Sequence, residues 1–285
     1  MNSPGNMKVE ELMIRDVASA ELPGSRDEVL SILKNKHISG VPVVKKGELV
    51  GIITRTDLFK NPEEEQMALI MTRDPITISP DKSIVEAARL ILGNNIRRLP
   101  VVGDNRLVGI ITIADIVGTI ARMDISTPIS TYLKNHVVSV WSETPLSVVG
   151  EIMELADVKA VPILDSSLAL IGVASDKDLI SASIIVDRTE KSDMSAGADD
   201  DEWTWESMRD TMSLYYSVSK INFPASPVKS VIKLKGGPET AVLSSTVSDC
   251  ARKMRRNQLD QLPVINNNKK LLGLLRDRNL LEAII

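Results

Sequence analysis

The amino-acid sequence predicts a mixed α/β (α+β) fold, assembled from four β-α-β-β-α repeats that pair two by two. Three observations predict it. The stretch GIITRTDL, from Gly51 to Leu58, returns as GIITIADI from Gly109, as GVASDKDL from Gly172 and in altered form as GLLRDRNL from Gly273. Each copy follows a Pro-Val or Pro-Ile step, at Pro42, Pro100, Pro162 and Pro263. The leading glycines stand 58, 63 and 101 positions apart, so the last interval carries an insert of roughly 40 residues.

The first repeat spans 8–60. Val9 to Ile14 reads as a short helix leading in. Ser25 to Glu28 has the Ser-x-x-Glu form of a capping box and opens a helix with Val29, Ile32 and Leu33 on one face. Val41 to Val44 is a strand, Lys46-Gly47 a hairpin turn, and Leu49 to Ile53 the return strand. The second repeat, 64–120, places a strand at Ile76 to Ile78 and a capping box at Ser83 to Glu86. The third, 126–181, places a strand at Val137 to Val140 and starts a helix at Thr144-Pro145-Leu146. The fourth, 226–285, has its capping box at Thr246 to Asp249.

The recurring stretch has legible chemistry. Two or three apolar residues after the glycine make a buried strand. Thr54 with Asp57, Thr112 with Asp115, and Ser175 with Asp178 then give the Ser/Thr-x-x-Asp start of a helix. A helix start offers free N–H groups and partial positive charge, which suit a phosphate. The hydroxyl can donate to that phosphate, and the carboxylate can accept from a ribose diol. The same residues also serve a helix that only needs a cap. In the fourth copy Arg276 replaces the hydroxyl and Asn279 the carboxylate; Asn still accepts a hydrogen bond but brings no charge.

Composition narrows the function. Hydrophobic residues make up 43% and charged residues 25% of the chain, a globular balance. Aromatics are only 3%, so the core must be Ile, Val, Leu, Met and Ala. A net charge of −4 gives no general attraction to nucleic acid or anionic lipid. The single cysteine, Cys250, rules out an internal disulfide framework and a Cys-based zinc site, and fits a reducing, cytoplasmic setting. The first residues lack the apolar core of a signal peptide. No run of eighteen apolar residues is present to span a membrane. No nucleophile-base pair, phosphate-binding glycine loop or metal cluster stands out, so no catalytic residue and no metal ligand is assigned.

These four copies, each with its Pro-Val strand, resemble the CBS domain, named after cystathionine β-synthase, which works in tandem pairs called Bateman modules. The four-repeat layout is similar to the γ regulatory subunit of AMP-activated kinase and to stand-alone archaeal CBS proteins. The resemblance implies a non-catalytic regulatory protein that binds AMP, ADP, ATP or S-adenosylmethionine in clefts between paired repeats and needs no further cofactor. It implies ribose contacts from Asp57, Asp115, Asp178 and Asn279. It implies phosphate or hydroxyl contacts from Thr54, Thr112, Ser175, Arg276, Arg98 and Arg97, the last two standing where the family often presents a basic residue. The adenine side would be lined by Gly40, Val41, Pro42, Ile76, Leu99, Pro100, Val137, Ala160, Val161 and Pro162, mostly through backbone. Pairing of the modules into a homodimer or disc is expected. An interaction scaffold with degenerate clefts is the alternative.

The insert, 187–225, divides in two. Its acidic first part reads as a mobile linker. Its second part places Trp205, Met208, Met212 and Tyr215 at helical spacing. Five of the chain's eight aromatics, Trp203, Trp205, Tyr215, Tyr216 and Phe223, fall here. That crowding predicts either cover for the second module or a protein-docking element over 203–220.

Overall fold

Each repeat is built on a β-hairpin between helices, and local chemistry shows why. The computed structural model describes residues 4–36, 38–61, 64–134, 136–156, 158, 160–175, 178–179, 182, 184–193, 213–222, 226–231 and 237–285. In the first repeat the Ser25 hydroxyl accepts from the Glu28 backbone N–H and opens the helix Arg26–Asn35, which meets one of the unpaired donors at a helix start. Val29 and Leu33 turn inward from it. Strands Gly40–Lys45 and Glu48–Thr54 pair antiparallel, with Val41 opposite Ile53 and Val43 opposite Gly51. Lys46 and Gly47 both hold positive φ, 54° and 84°, the mirror-image turn whose twist suits a two-residue hairpin. Asp104 and Asn105 do the same in the second repeat, at 49° and 62°.

The second repeat follows the same plan. Ser83 and Glu86 cap each other's backbone ahead of the helix Ile84–Gly93. Strands Arg98–Gly103 and Arg106–Thr112 pair, and the helix Ile113–Ile120 closes the unit. The third repeat shows Leu146–Leu155, Ala160–Leu164 and Leu170–Ser175. The fourth shows Val247–Asn257, Gln261–Ile265, Leu271–Arg276 and Asp277–Leu281.

The leading segment of each repeat does not sit on its own hairpin. Ile14 of the first repeat bridges Ile110 of the second, and the Val9 N–H donates to the Lys82 carbonyl at 2.8 Å. Thr72 of the second repeat pairs with Ile52 of the first, and the Met67 N–H donates to the Gly24 carbonyl. Pro128 of the third bridges Thr246 of the fourth; Pro227 of the fourth bridges Pro145 of the third. The exchange joins the first repeat to the second and the third to the fourth.

In the first, second and fourth repeats the glycine that opens the signature stretch makes room for this. A Cβ on Gly109 would stand 2.5 Å from the Met13 sulfur, and one on Gly51 would stand 2.6 Å from the Met71 sulfur. At Gly273 the visitor is Leu133, 2.8 Å away. Any larger residue would collide with the borrowed segment.

Packing divides the chain into two units, Met1–Asn135 with Glu239–Asn266 and Leu272–Ile285, and His136–Pro238 with Asn267–Leu271. The first unit holds a six-stranded sheet in which the hairpins of the first two repeats meet at Glu48 and Arg106. Its largest core runs from Ile84, Ile91, Leu99 and Ile111 through Ile116 and Ile120 to Cys250, Met254, Leu275 and Leu280. The helix Ile113–Ile120 of the second repeat thereby packs on helices of the fourth. In the second unit Val140, Leu146, Val149, Val161 and Ile163 cluster with Val228. Among the described residues every buried apolar side chain is aliphatic, Met or Cys, as the scarcity of aromatics requires.

Several local expectations change. The strand expected at Ile76 to Ile78 reduces to a bridge between Ile78 and Val101, and the strand forms at Thr72–Arg73. The strand expected at Val137 to Val140 begins only at Val140. The insert is not a linker followed by a helix where it is described. Ile184–Asp193 and Ser213–Asn222 pair antiparallel over their whole length. Tyr215 and Tyr216 therefore lie on a strand. Ile184, Ile185, Val186, Thr189 and Val218 explain the change, because β-branched residues favour the pleated surface over the helix. Trp203, Trp205, Met208, Met212 and Phe223 lie outside the described residues.

Candidate ligand site

The hydroxyl residue that ends the hairpin meets the aspartate three positions on in the same way in three repeats. Asp57 Oδ2 accepts from the Thr54 backbone N–H at 2.7 Å and from the Thr54 hydroxyl at 2.6 Å. Asp115 Oδ2 takes the Thr112 N–H at 2.9 Å and its hydroxyl at 2.6 Å. Asp178 Oδ2 takes the Ser175 N–H at 2.9 Å and its hydroxyl at 2.6 Å. One carboxylate oxygen thus fixes the helix start. The other, Oδ1, has no hydrogen-bond partner among the described residues in any of the three. A half-buried carboxylate held this way presents a fixed acceptor.

The geometry alters one expectation. An ionised carboxylate can only accept, so the hydroxyl of Thr54, Thr112 or Ser175 must donate to it. That proton is committed, and the hydroxyl faces a second anion only as an acceptor. In the fourth repeat the Arg276 N–H donates to Asn279 Oδ1 at 2.9 Å. The amide keeps the cap, but Asn279 is 3% exposed, and no free carboxylate oxygen results.

Across the first pair, Arg98 of the second repeat reaches the first. Its Nη2 donates to the Ser39 hydroxyl at 2.6 Å. Its Nη1 lies 1.7 Å from where a Cβ on Gly40 would stand, with Thr54 beside it. Gly40 and Arg98 occupy equivalent positions in their hairpins, each opposite its threonine, Thr54 and Thr112. The missing side chain in one repeat is the room for the guanidinium of the other. Burial pushes the Arg98 pKa down to about 10, neighbouring Arg97 and Arg55 push the same way, and Asp57 opposes them. Arg98 remains charged at neutral pH, poorly hydrated and beside like charges.

Arg97 is placed differently. Its Nη2 meets Asp277 Oδ2 of the fourth repeat at 2.6 Å and Asp260 Oδ2 at 3.6 Å. Burial holds the Asp277 carboxyl above its ordinary range despite the guanidinium. For Arg97, burial lowers the pKa, and the Asp277 charge, the Asp277 hydrogen bond and the Asp260 charge together more than offset it. Sequence reasoning grouped the two arginines; the structure gives them separate partners.

The adenine-side residues lie at the hairpin starts. Val41, Leu99 and Val161 are fully buried, and Ala160 nearly so; Gly40, Pro42, Pro100 and Pro162 are buried as well. The buried side chains fill the cores, so backbone is what they can offer a ligand. Ile76 is exposed and Val137 half-buried. Ser39, Arg55, Asp260 and Asp277 went unnoticed in the sequence. The signal was alignment of the repeats: Ser39, Arg97 and Asp260 share one position, since their carbonyls accept from the N–H of Arg55, Ile113 and Asp277 respectively.

Among the described residues no three metal-ligating side chains come together, and no helix is long and apolar enough to cross a membrane. The family model for the CBS domain matches residues 9–64, 67–122, 129–185 and 229–285. The uncharacterized protein MJ1225 of Methanocaldococcus jannaschii is 28% identical over 194 residues, 61% of this chain and 69% of that protein. MJ1232 of the same organism is 36% identical over 124 residues, 42% of each. The crystal structure of an uncharacterized conserved protein from Pyrococcus horikoshii is similar with a TM-score of 0.70 and 26% identity, covering 98% of this chain and 100% of that one. The crystal structure of MJ1225, proposed as an archaeal homologue of γ-AMPK, has the same fold, with a TM-score of 0.70, 19% identity and the same coverage.

Proposed function

The chain belongs to the CBS-domain family, and from that premise we propose a non-catalytic regulatory protein. It binds an adenosyl ligand between the first two repeats and passes occupancy to a partner. Arg98 carries the reading. A half-buried guanidinium lies on Gly40, next to Ser39, Thr54 and Asp57, and its nearest charged influences include Arg97 and Arg55. An anion relieves that arrangement, and a planar guanidinium suits phosphate oxygens. The free Oδ1 of Asp57 offers an acceptor to ribose hydroxyls, as Asp115 and Asp178 do at their own clefts. This favours AMP, ADP or ATP over S-adenosylmethionine at the first repeat, because a sulfonium gains nothing from an arginine. At the fourth repeat, Asn279 and the Asp277–Arg97 pair favour a degenerate, purely structural site.

Occupancy has a physical route outward. Arg97 and Arg98 are adjacent on one strand start, the first tied to the fourth repeat and the second to the first. A phosphate that repositions Arg98 acts on the same backbone that holds Arg97. The ligand then shifts the population of repeat arrangements by as much as its affinity for them differs.

Calorimetric titration with AMP and with adenosine tests the reading. Arg98→Ala should weaken AMP by about 10-fold or more, the worth of a charge-assisted hydrogen bond, and change adenosine little. Gly40→Ala, which displaces the guanidinium, should behave likewise. Equal loss for both ligands would remove Arg98 from the phosphate site.

A further inference from the structure

The helix Val247–Asn257 and the residues just after Ile113–Ile120 line an open depression of about 770 Å³. Its wall carries Arg122, Arg252, Lys253, Arg255 and Arg256, against one carboxylate, Asp249. The sequence alone suggests a solvated helix face. The structure shows a concave surface to which a second repeat contributes Arg122.

The cations are arranged with few charges to meet. Arg252 is held by Asp249 at 2.5 Å and by the Ala121 carbonyl at 3.2 Å. Lys253 donates to the Thr240 carbonyl and Arg122 to the Thr119 hydroxyl. Arg255 lies against the helix backbone at Gly118, where an added Cβ would stand 3.3 Å from its Nε. Arg255 and Arg256 have no side-chain hydrogen bond or ion pair among the described residues. Arg252, Arg255 and Arg256 share one helix face, where like charges repel.

We infer that this depression binds a compact polyphosphate, a small molecule with two or more linked phosphate groups. Because the depression is open, charge rather than enclosure would hold the ligand. A single phosphate engages one or two guanidinium forks. A phosphate chain has oxygens enough to engage Arg122 of the second repeat as well as Arg255 and Arg256 of the fourth.

The test is calorimetric titration of the full chain with inorganic tripolyphosphate, which carries no nucleoside. Using Arg98→Ala protein removes the repeat-one arginine as a source of heat. Saturable binding is expected, weakening as salt rises. Substituting Arg255→Gln with Arg256→Gln should weaken it at least about tenfold, and Arg122→Gln should weaken it from the second repeat's contribution. In protein with Arg98 intact, the glutamine pair should leave AMP affinity unchanged. These positions are exposed, and unchanged melting would show that the variants fold. Absence of binding to the Arg98→Ala protein, or equal affinity in the glutamine variants, would overturn the inference. So would equally tight binding of hexaglutamate, which would make the surface a seat for acidic peptide.

Discussion

Arg97 and Asp277 stand 180 residues apart in the chain and meet at 2.6 Å. The pair fastens the hairpin of the second repeat to the closing helix of the fourth. Asp277 is 5% exposed, and burial raises its pKa even with the guanidinium in contact. Desolvation of the carboxylate therefore outweighs the attraction.

That sign fixes a pH dependence. Because folding raises the pKa of Asp277, its contribution is fully present below the ordinary aspartate value, about 4, and is lost as pH rises through the folded value. Asp277→Asn does not titrate there. Urea unfolding at pH 4 and pH 7 should show the variant gaining on the parent as pH rises. The opposite trend would mean the ion pair stabilises on balance.

Asp57 has two separable duties. Asn279 shows that an amide oxygen can hold the same backbone N–H. Asp57→Asn should therefore keep most of the stability, whereas Asp57→Ala should lose about 1 kcal/mol with the cap. Both should weaken adenosine at the first repeat. Full adenosine affinity in the two variants would leave Asp57 as a cap alone.

Gly109 and Met13 are coupled by the exchanged segment. Gly109→Ala drives a methyl into the Met13 sulfur and should cost about 1–3 kcal/mol by overpacking. Adding Met13→Ala should cost less in that background than alone, a coupling that denaturant titration of the double-mutant cycle reads directly.

Cys250 is fully buried, and burial pushes its thiol up to about 11. A thiol-disulfide reagent at pH 8 should leave it unmodified in the native protein and react once urea unfolds the chain. Fast native labelling would mean the core around Val247–Asn257 opens readily.

Much of the fold was legible because it is local. Side-chain caps at Ser25, Ser83 and Thr246, of which only Ser83 forms the full reciprocal box, and the turn at Lys46-Gly47 depend on neighbours within a few positions. The three Ser/Thr-x-x-Asp pairs closed as their spacing dictates. What stayed hidden depends on contacts between distant segments. Nothing near Arg97 in sequence announces Asp277, and nothing near Gly40 announces Arg98. Of the helical stripe expected from Trp205, only Tyr215 falls among the described residues, and there pairing with Lys191 places it on a strand.

A lone repeat has two open wounds: a leader with nowhere to lie, and a glycine groove with nothing in it. Twins heal one another, so the smallest heritable piece of this architecture is a couple. Lengthening such a protein by copying half a couple would leave unmatched edges, whereas copying both halves together keeps each leader in its groove.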